Sequence, residues 1–212
     1  MYAAVILLVF MCLTATTHAD HHQQKPCHLP NATGVMNVQM DLKDPVNALG
    51  EFTYDSTGNK LRFRSYENFP NASRYLDLLM FFEEGILYEI NSKNQSCEKK
   101  KVQHNDHILR IPKDAQFLST MTLGNPSAVG EGLEFSVWTG SMADNTGKYV
   151  ISVTKGCLPL SSTYYGGPTN VILFSFMNLQ SEIKNPEVLE VPSFCEGLPV
   201  EETVNRFLEV LM

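Results

Sequence analysis

Basic residues are scarce in this chain of 212 residues. Lys and Arg number 16 against 23 Asp and Glu, a formal charge of −7. That balance argues against nucleic acid, heparin or anionic membranes as partners. The only basic run, Lys99-Lys100-Lys101, reads as a solvated strand edge, where lysines discourage pairing with another strand. An uninterrupted apolar run of about 20 residues, the length that spans a bilayer, is absent too. Reactive signatures are equally thin. Gly124-Asn125-Pro126-Ser127-Ala128-Val129-Gly130 has the wrong spacing for a nucleophile elbow. No HExxH, P-loop or EF-hand pattern occurs. No two cysteines lie close enough for a zinc template. With no nucleophile or acid–base pair standing out, an enzyme is not expected. Internal repeats, low-complexity tracts and interdomain linkers are also missing.

What is there begins with a secretory leader. Residues 1–19 centre on Val5-Ile6-Leu7-Leu8-Val9-Phe10 and end in Thr17-His18-Ala19. That apolar core is too short to span a membrane, and the small final residue suits a signal peptidase. The leader holds no Lys, Arg, Asp or Glu, so the charge of −7 belongs to residues 20–212, which read as one domain. Cys12 departs with the leader. Cys27, Cys97, Cys157 and Cys195 remain, an even set in an oxidising compartment, so two disulfides are expected. Four cysteines allow three connectivities, and spacing does not choose among them. Three N-glycosylation sequons follow the leader: Asn31-Ala32-Thr33, Asn71-Ala72-Ser73 and Asn94-Gln95-Ser96. Together these features describe a secreted, extracellular glycoprotein.

The periodicity is that of strands. Residues 50–66 form the clearest hairpin: Phe52 and Tyr54 alternate with Thr53, Ser56-Thr57-Gly58-Asn59 turns, and Leu61 and Phe63 alternate with Arg62 and Arg64. The two arginines are assigned to a solvated face. Further strands are read at 35–42, 75–82, 86–90, near 109–111, 117–123, 133–138, 148–154 and 170–178. Tyr164-Tyr165-Gly166-Gly167-Pro168 is read as a loop, and Pro186, Pro192 and Pro199 keep the stretch around Cys195 irregular. Val204, Phe207, Leu208 and Leu211 recur at helical spacing and predict a short C-terminal amphipathic helix docked on the sheet. The class is an antiparallel, mainly β single domain.

Metal-binding signals are few. His104-Asn105-Asp106-His107 reads as an exposed polar turn. Cleavage after Ala19 would make His22 the third residue of the mature chain, after Asp20 and His21. The amino group, two deprotonated amides and His22 would then form a square-planar nitrogen set suited to Cu(II). For calcium there are only exposed oxygens at turns, such as Glu83, Glu84, Asp144 and Asn145.

The blocks around the cysteines carry a resemblance. They are Lys25-Pro26-Cys27-His28, Gly50-Glu51-Phe52-Thr53-Tyr54-Asp55-Ser56, Asn59-Lys60-Leu61-Arg62-Phe63, and Phe82-Glu83-Glu84-Gly85-Ile86-Leu87-Tyr88-Glu89-Ile90. Ser92-Lys93-Asn94-Gln95-Ser96-Cys97, Gly156-Cys157-Leu158-Pro159 and Pro192-Ser193-Phe194-Cys195-Glu196-Gly197 follow in order. In these the chain resembles the ependymin family. The resemblance implies a calcium-binding glycoprotein of cerebrospinal and other extracellular fluid, concerned with cell adhesion and extracellular-matrix contact, neural plasticity and axon regeneration. It implies a homodimer, with calcium held partly through sialylated glycans. It implies two stacked antiparallel sheets around an apolar pocket, like bacterial lipoprotein carriers, and so an alternative role as carrier of a lipid or other hydrophobic molecule. Phe52, Tyr54, Phe63, Phe81, Phe82, Phe135, Trp138, Phe174 and Phe176 are the candidate lining. It further implies the pairs Cys27 with Cys157 and Cys97 with Cys195, and glycans at Asn71 and Asn94, with Asn31 less clearly matched.

For the N-terminal metal site, Cu(II) titration of the secreted protein is expected to show a binding step that a His22→Ala variant lacks. Equal affinity in the two proteins contradicts the assignment.

Overall fold

The computed structural model describes residues 24–41, 45–67, 75–101, 109–142, 147–166 and 171–201. The leader, His22, the Asn71 sequon, His104 and His107, Asp144, Asn145 and the helix expected from Val204 onward lie outside the described residues. The strands are β1 (Ala32–Asp41), β2 (Val46–Asp55), β3 (Lys60–Ser65), β4 (Asp77–Phe81), β5 (Ile86–Asn91), β6 (Ser96–Lys101), β7 (Gln116–Gly124), β8 (Gly132–Ser141), β9 (Lys148–Thr154), β10 (Pro159–Tyr165) and β11 (Val171–Gln180). The mainly antiparallel β class is therefore what the chain adopts. The strands that the resemblance distributes over two sheets hydrogen-bond edge to edge as one sheet of eleven, in the order β6-β5-β4-β3-β2-β1-β11-β10-β9-β8-β7.

Each hairpin follows from its turn chemistry. The four-residue turns at 56–59, 82–85 and 92–95 end on Asn59, Gly85 and Gln95, each at positive φ. A left-handed residue there returns the chain in register, which a β-branched side chain resists. Register then decides the faces. Met36, Val38 and Met40 pair with Phe176, Phe174 and Ile172, while Phe52 and Tyr54 pair with Phe63 and Leu61, which pair in turn with Leu78 and Met80. Trp138 pairs with Ile151, and Tyr149 with Tyr164. All these side chains share one face of the continuous sheet, and most are almost wholly buried. A sheet this wide hides one face only by curling around it. Leu109 joins the cluster of β1–β5 and β11, whereas Ile111 and Ala115 join that of β8 and β9. The stretch at 109–111, expected to be a strand, is instead an irregular segment lying in the concave side between the two clusters.

The opposite, outer face is not uniformly solvated. Over β4 and β5 it carries Leu79, Tyr88 and Ile90, which pack under Leu189, Val191 and Phe194 of the C-terminal arm. The arm runs through 3-10 turns at Pro186–Leu189 and Ser193–Cys195 and is bonded to β6 through Cys97–Cys195. Arg62 lies beneath it. The expectation of two solvated arginines therefore fails for Arg62, which is 4% exposed, and holds for Arg64. The reason is tertiary: the period of two puts both on the outer face, and the arm covers only one. Arg62 donates through Nε and Nη2 to the two carboxylate oxygens of Asp77, at 2.7 and 2.9 Å, and through Nη1 to the carbonyl of Val188 at 3.2 Å. The planar guanidinium suits this two-pronged recognition.

Candidate functional site

The concave face offers one place where polar chemistry and apolar lining meet. β8 and β9 present Trp138, Ile151, Val153 and Tyr149 to it. The N-terminal arm closes it from outside, because Cys27 is bonded to Cys157. Between arm and sheet lies a cavity of about 210 Å³, bordered by Gln24, Lys25, Thr120, Ser136, Trp138 and Val153. The indole Nε1 of Trp138 is buried and finds no acceptor among the described residues. The hydroxyl of Tyr149 is likewise buried and has no partner among the described residues. It sits over Gly140, where any Cβ would overlap the phenol. Glycine at 140 is thus what lets the ring lie flat across β8. Burial pushes the Tyr149 phenol up to about 12, and the negative field of Asp114 adds to the shift. Tyr149 is therefore a neutral donor at any physiological pH. Buried donors without acceptors are costly in a folded protein and mark a position where a ligand acceptor would be welcome.

The expected aromatic lining divides between the faces. Phe52, Tyr54, Phe63, Trp138, Phe174 and Phe176 are buried on the concave side. Phe82 packs at its margin. Phe81 belongs to the outer cluster beneath the arm, with its ring against Tyr88. Phe135 stands one residue out of phase with Ser136 on β8, and it borders the cavity beside the N-terminal arm. Sequence reading missed Tyr149 and Tyr164. Tyr164 was placed in a loop, but it lies in β10 with its ring near Tyr149 and Phe174. The alternation Tyr149, Ile151, Val153 was the available signal for Tyr149.

Other expected sites fall elsewhere. Asn94 is exposed in the β5–β6 turn, and its Oδ1 accepts from the amide and hydroxyl of Ser96 at 3.2 and 2.7 Å. Asn31 is half-buried at the entry to β1, where its Oδ1 accepts from the amide and hydroxyl of Ser56 at 2.9 and 2.8 Å. That side chain clamps the β2–β3 turn. Asn94 is the more open of the two described sequons. Glu83 accepts from Asn59 Nδ2 at 2.7 Å and Glu84 is exposed. Among the described residues no three of His, Cys, Asp and Glu gather in a metal-binding group. No helix among them is long and apolar enough to cross a membrane. A second cavity, of about 300 Å³, lies near Tyr75, Asp77, Glu89 and Cys97, with polar and apolar atoms lining it about equally.

Comparison with known proteins settles the family. A model of the Ependymin family matches residues 70–195. Ependymin-1 of Oncorhynchus mykiss is 40% identical over 203 residues, covering 95% of this chain and 91% of the relative. The chain belongs to the ependymin family. Ependymin of Esox lucius is also 40% identical, over 99% of this chain and 97% of that protein. A LolA superfamily protein from Nitrosomonas europaea superposes with a TM-score of 0.38 at 8% identity, covering 80% of this chain and 94% of that one. That likeness is too distant to carry a functional argument. In this ependymin-family chain the bonded pairs, Cys27 with Cys157 and Cys97 with Cys195, are those that the resemblance implied.

The raised Tyr149 ionisation has a direct consequence. The folded state holds that proton more tightly than the unfolded state, whose phenol ionises near 10.0. The stability contributed is complete below that pH and is lost as pH rises from about 10 toward about 12. Ultraviolet titration is expected to show a late tyrosinate step near the top of that window that Tyr149→Phe removes. A variant with an unchanged late step contradicts the burial of this phenol.

Proposed function

We propose that this protein is a secreted, non-enzymatic glycoprotein of extracellular fluid. In this reading a leader at 1–19 is removed, and residues 20–212 act as one domain through calcium and through contact with cells and matrix. The processes it serves are those that the family implies, neural plasticity and axon regeneration. Membership of the ependymin family along nearly the whole chain is the observation that carries the reading. Two long-range disulfides support an oxidising, extracellular setting. The exposed sequon at Asn94 supports glycosylation. Calcium is assigned to sialylated glycans, whose clustered carboxylates are hard oxygen ligands of the type calcium prefers.

A second reading, a carrier of an apolar molecule, has one specific observation in its favour. Trp138 Nε1, beside the cavity, and the Tyr149 hydroxyl are buried donors within the apolar cluster of β8 and β9. A ligand with an apolar body and an acceptor group would meet both needs.

Calcium binding by protein secreted from animal cells, measured before and after sialidase, tests the first reading. The expected result is loss of most binding after treatment and in Asn94→Gln. Undiminished binding by the sialidase-treated protein contradicts it. Native mass spectrometry of the same preparation tests the second. A co-purified lipid retained by the wild type and lost from Trp138→Phe supports the carrier.

A further inference from the structure

The turn that carries the Asn94 sequon is held by its own side chains. Asn91 Oδ1 accepts from the amides of Lys93 and Asn94 at 3.1 and 3.4 Å. Asn94 Oδ1 accepts from the amide and hydroxyl of Ser96 at 3.2 and 2.7 Å. Gln95, between them, is in the left-handed region at φ 54°. Side-chain oxygens that bond back to nearby amides fix a turn locally. The planar amide of Asn94 therefore has a set direction, and so has its Nδ2, the atom to which an N-glycan is joined.

The cavity of about 300 Å³ adjoins this turn, which contributes Asn91, Lys93 and Ser96 to its border. Its position follows from register. The pairing of β4 with β5 ends at Leu78 and Glu89. Beyond that point Tyr75 and Asp77 stand on one side of the cavity, with Ile90 and Asn91 on the other. Cys97, bonded to Cys195, fixes a further part of the wall. The acids at the cavity are each matched by a base: Asp77 by Arg62, and Glu89 and Glu98 by Lys100. A neutral ligand suits such a place better than an ion. Tyr75 is 39% exposed, and Asn91, Lys93, Ser96 and Glu98 beside it are exposed too. A half-open aromatic ring among amide, hydroxyl and carboxylate groups is the chemistry that holds a sugar. The weakly positive C–H face of a pyranose packs on the negative face of the ring, and its hydroxyl and N-acetyl groups find donors and acceptors around it.

We propose that this cavity seats the core of the N-glycan joined to Asn94, with its first N-acetylglucosamine against Tyr75. Three observations choose that occupant. The Asn94 amide is hydrogen-bonded to Ser96, which itself borders the cavity, so the attachment point lies at the rim. The matched charges suit the neutral sugars of a glycan core. A tethered ligand is also present at high effective concentration, so a shallow and weak site is filled by its own glycan before any free sugar. The docked core continues the contact between the start of β4 and the end of β5 past the last paired residues. It also gives the outer branches one direction away from the sheet. This docking presupposes the glycan at Asn94, on which the function proposed above also relies, but not calcium or an apolar ligand.

The test uses glycoprotein secreted from animal cells. Glycopeptide mass at Asn94 comes first: an unmodified Asn94 in the wild type removes the glycan reading at this site and the docking with it. With Asn94 occupied, an isotope-labelled glycan on the wild type is expected to show nuclear Overhauser contacts between its first N-acetylglucosamine and the Tyr75 ring. Enzymatic release of the glycan from Asn94 of the native protein, followed by peptide mass, is expected to be about twofold to tenfold faster in Tyr75→Ala, the range that one aromatic contact is worth. Tyr75→Phe keeps the ring and should release at the wild-type rate, and denaturation should abolish the difference. A disulfide map checks the fold of each variant. An occupied Asn94 whose sugars make no contact with Tyr75, or equal native release from wild type and Tyr75→Ala, overturns the docking and leaves the glycan reading standing. Free chitobiose that shifts the Tyr75 resonances of the fully glycosylated wild type assigns the cavity to a carbohydrate from outside the chain and overturns it too.

Discussion

The buried pair of Arg62 and Asp77 is the constraint around which this fold is arranged. A guanidinium and a carboxylate removed from water lose several kcal/mol of hydration each, and only close geometry and further hydrogen bonds return it. Here part of the return to Arg62 comes from Val188, in the C-terminal arm, which supplies a third acceptor. The arm must therefore be in place for the pair to be tolerable, and the pair helps to specify where the arm lies. Cys97–Cys195 makes that placement covalent. Cys27–Cys157 does the same for the N-terminal arm on the concave side. The two bridges link residues 98 and 130 positions apart. In the chain-entropy account each closes a loop long enough to stabilise by about 5 kcal/mol, a figure that native strain reduces.

With both faces tied down, an eleven-stranded meander becomes a two-sided object. The concave side encloses the main core, with the β8–β9 aromatics at one end and the N-terminal arm over them. The outer side of β3–β6 is a second, smaller core beneath the C-terminal arm. Among the described residues neither arm covers the outer face of the β7–β8 hairpin. That is why it shows apolar side chains on its outer face. Buried Trp138 and Tyr149 donors without a partner among the described residues lie inside, and the uncharged strand β7 lies at the edge.

Much of this was legible in the sequence, for a local reason. The β2–β3 hairpin announces itself through alternation and a Ser-Thr-Gly-Asn turn. The β4–β5 hairpin does so through Glu-Glu-Gly, and the prolines correctly mark an irregular arm around Cys195. What was not legible depends on distant segments. The period of two places Arg62 and Arg64 on one face, but nothing in it says that residue 188 will cover the first and not the second. Leu109-Arg110-Ile111 looks like a strand because it is apolar. It is apolar because it fills the hollow of the curled sheet. β10 was missed because Ser161-Ser162-Thr163 is weakly apolar, although its neighbours β9 and β11 bury Ser162 to 1% exposure. Trp138 and Phe135 lie in adjacent phases of one strand, so pattern alone did not assign the cavity-lining face.

The claim that the buried pair and the arm stabilise one another is tested most directly by denaturant unfolding of Asp77→Leu, Arg62→Met and the double variant. Asp77→Leu leaves a buried guanidinium without its partner and is predicted to cost about 3–5 kcal/mol, whereas the double variant, with apolar groups of similar size, regains most of that loss. If Asp77→Leu instead lies within about 0.5 kcal/mol of the wild type, as for a substitution at an ordinary surface position, the account is contradicted.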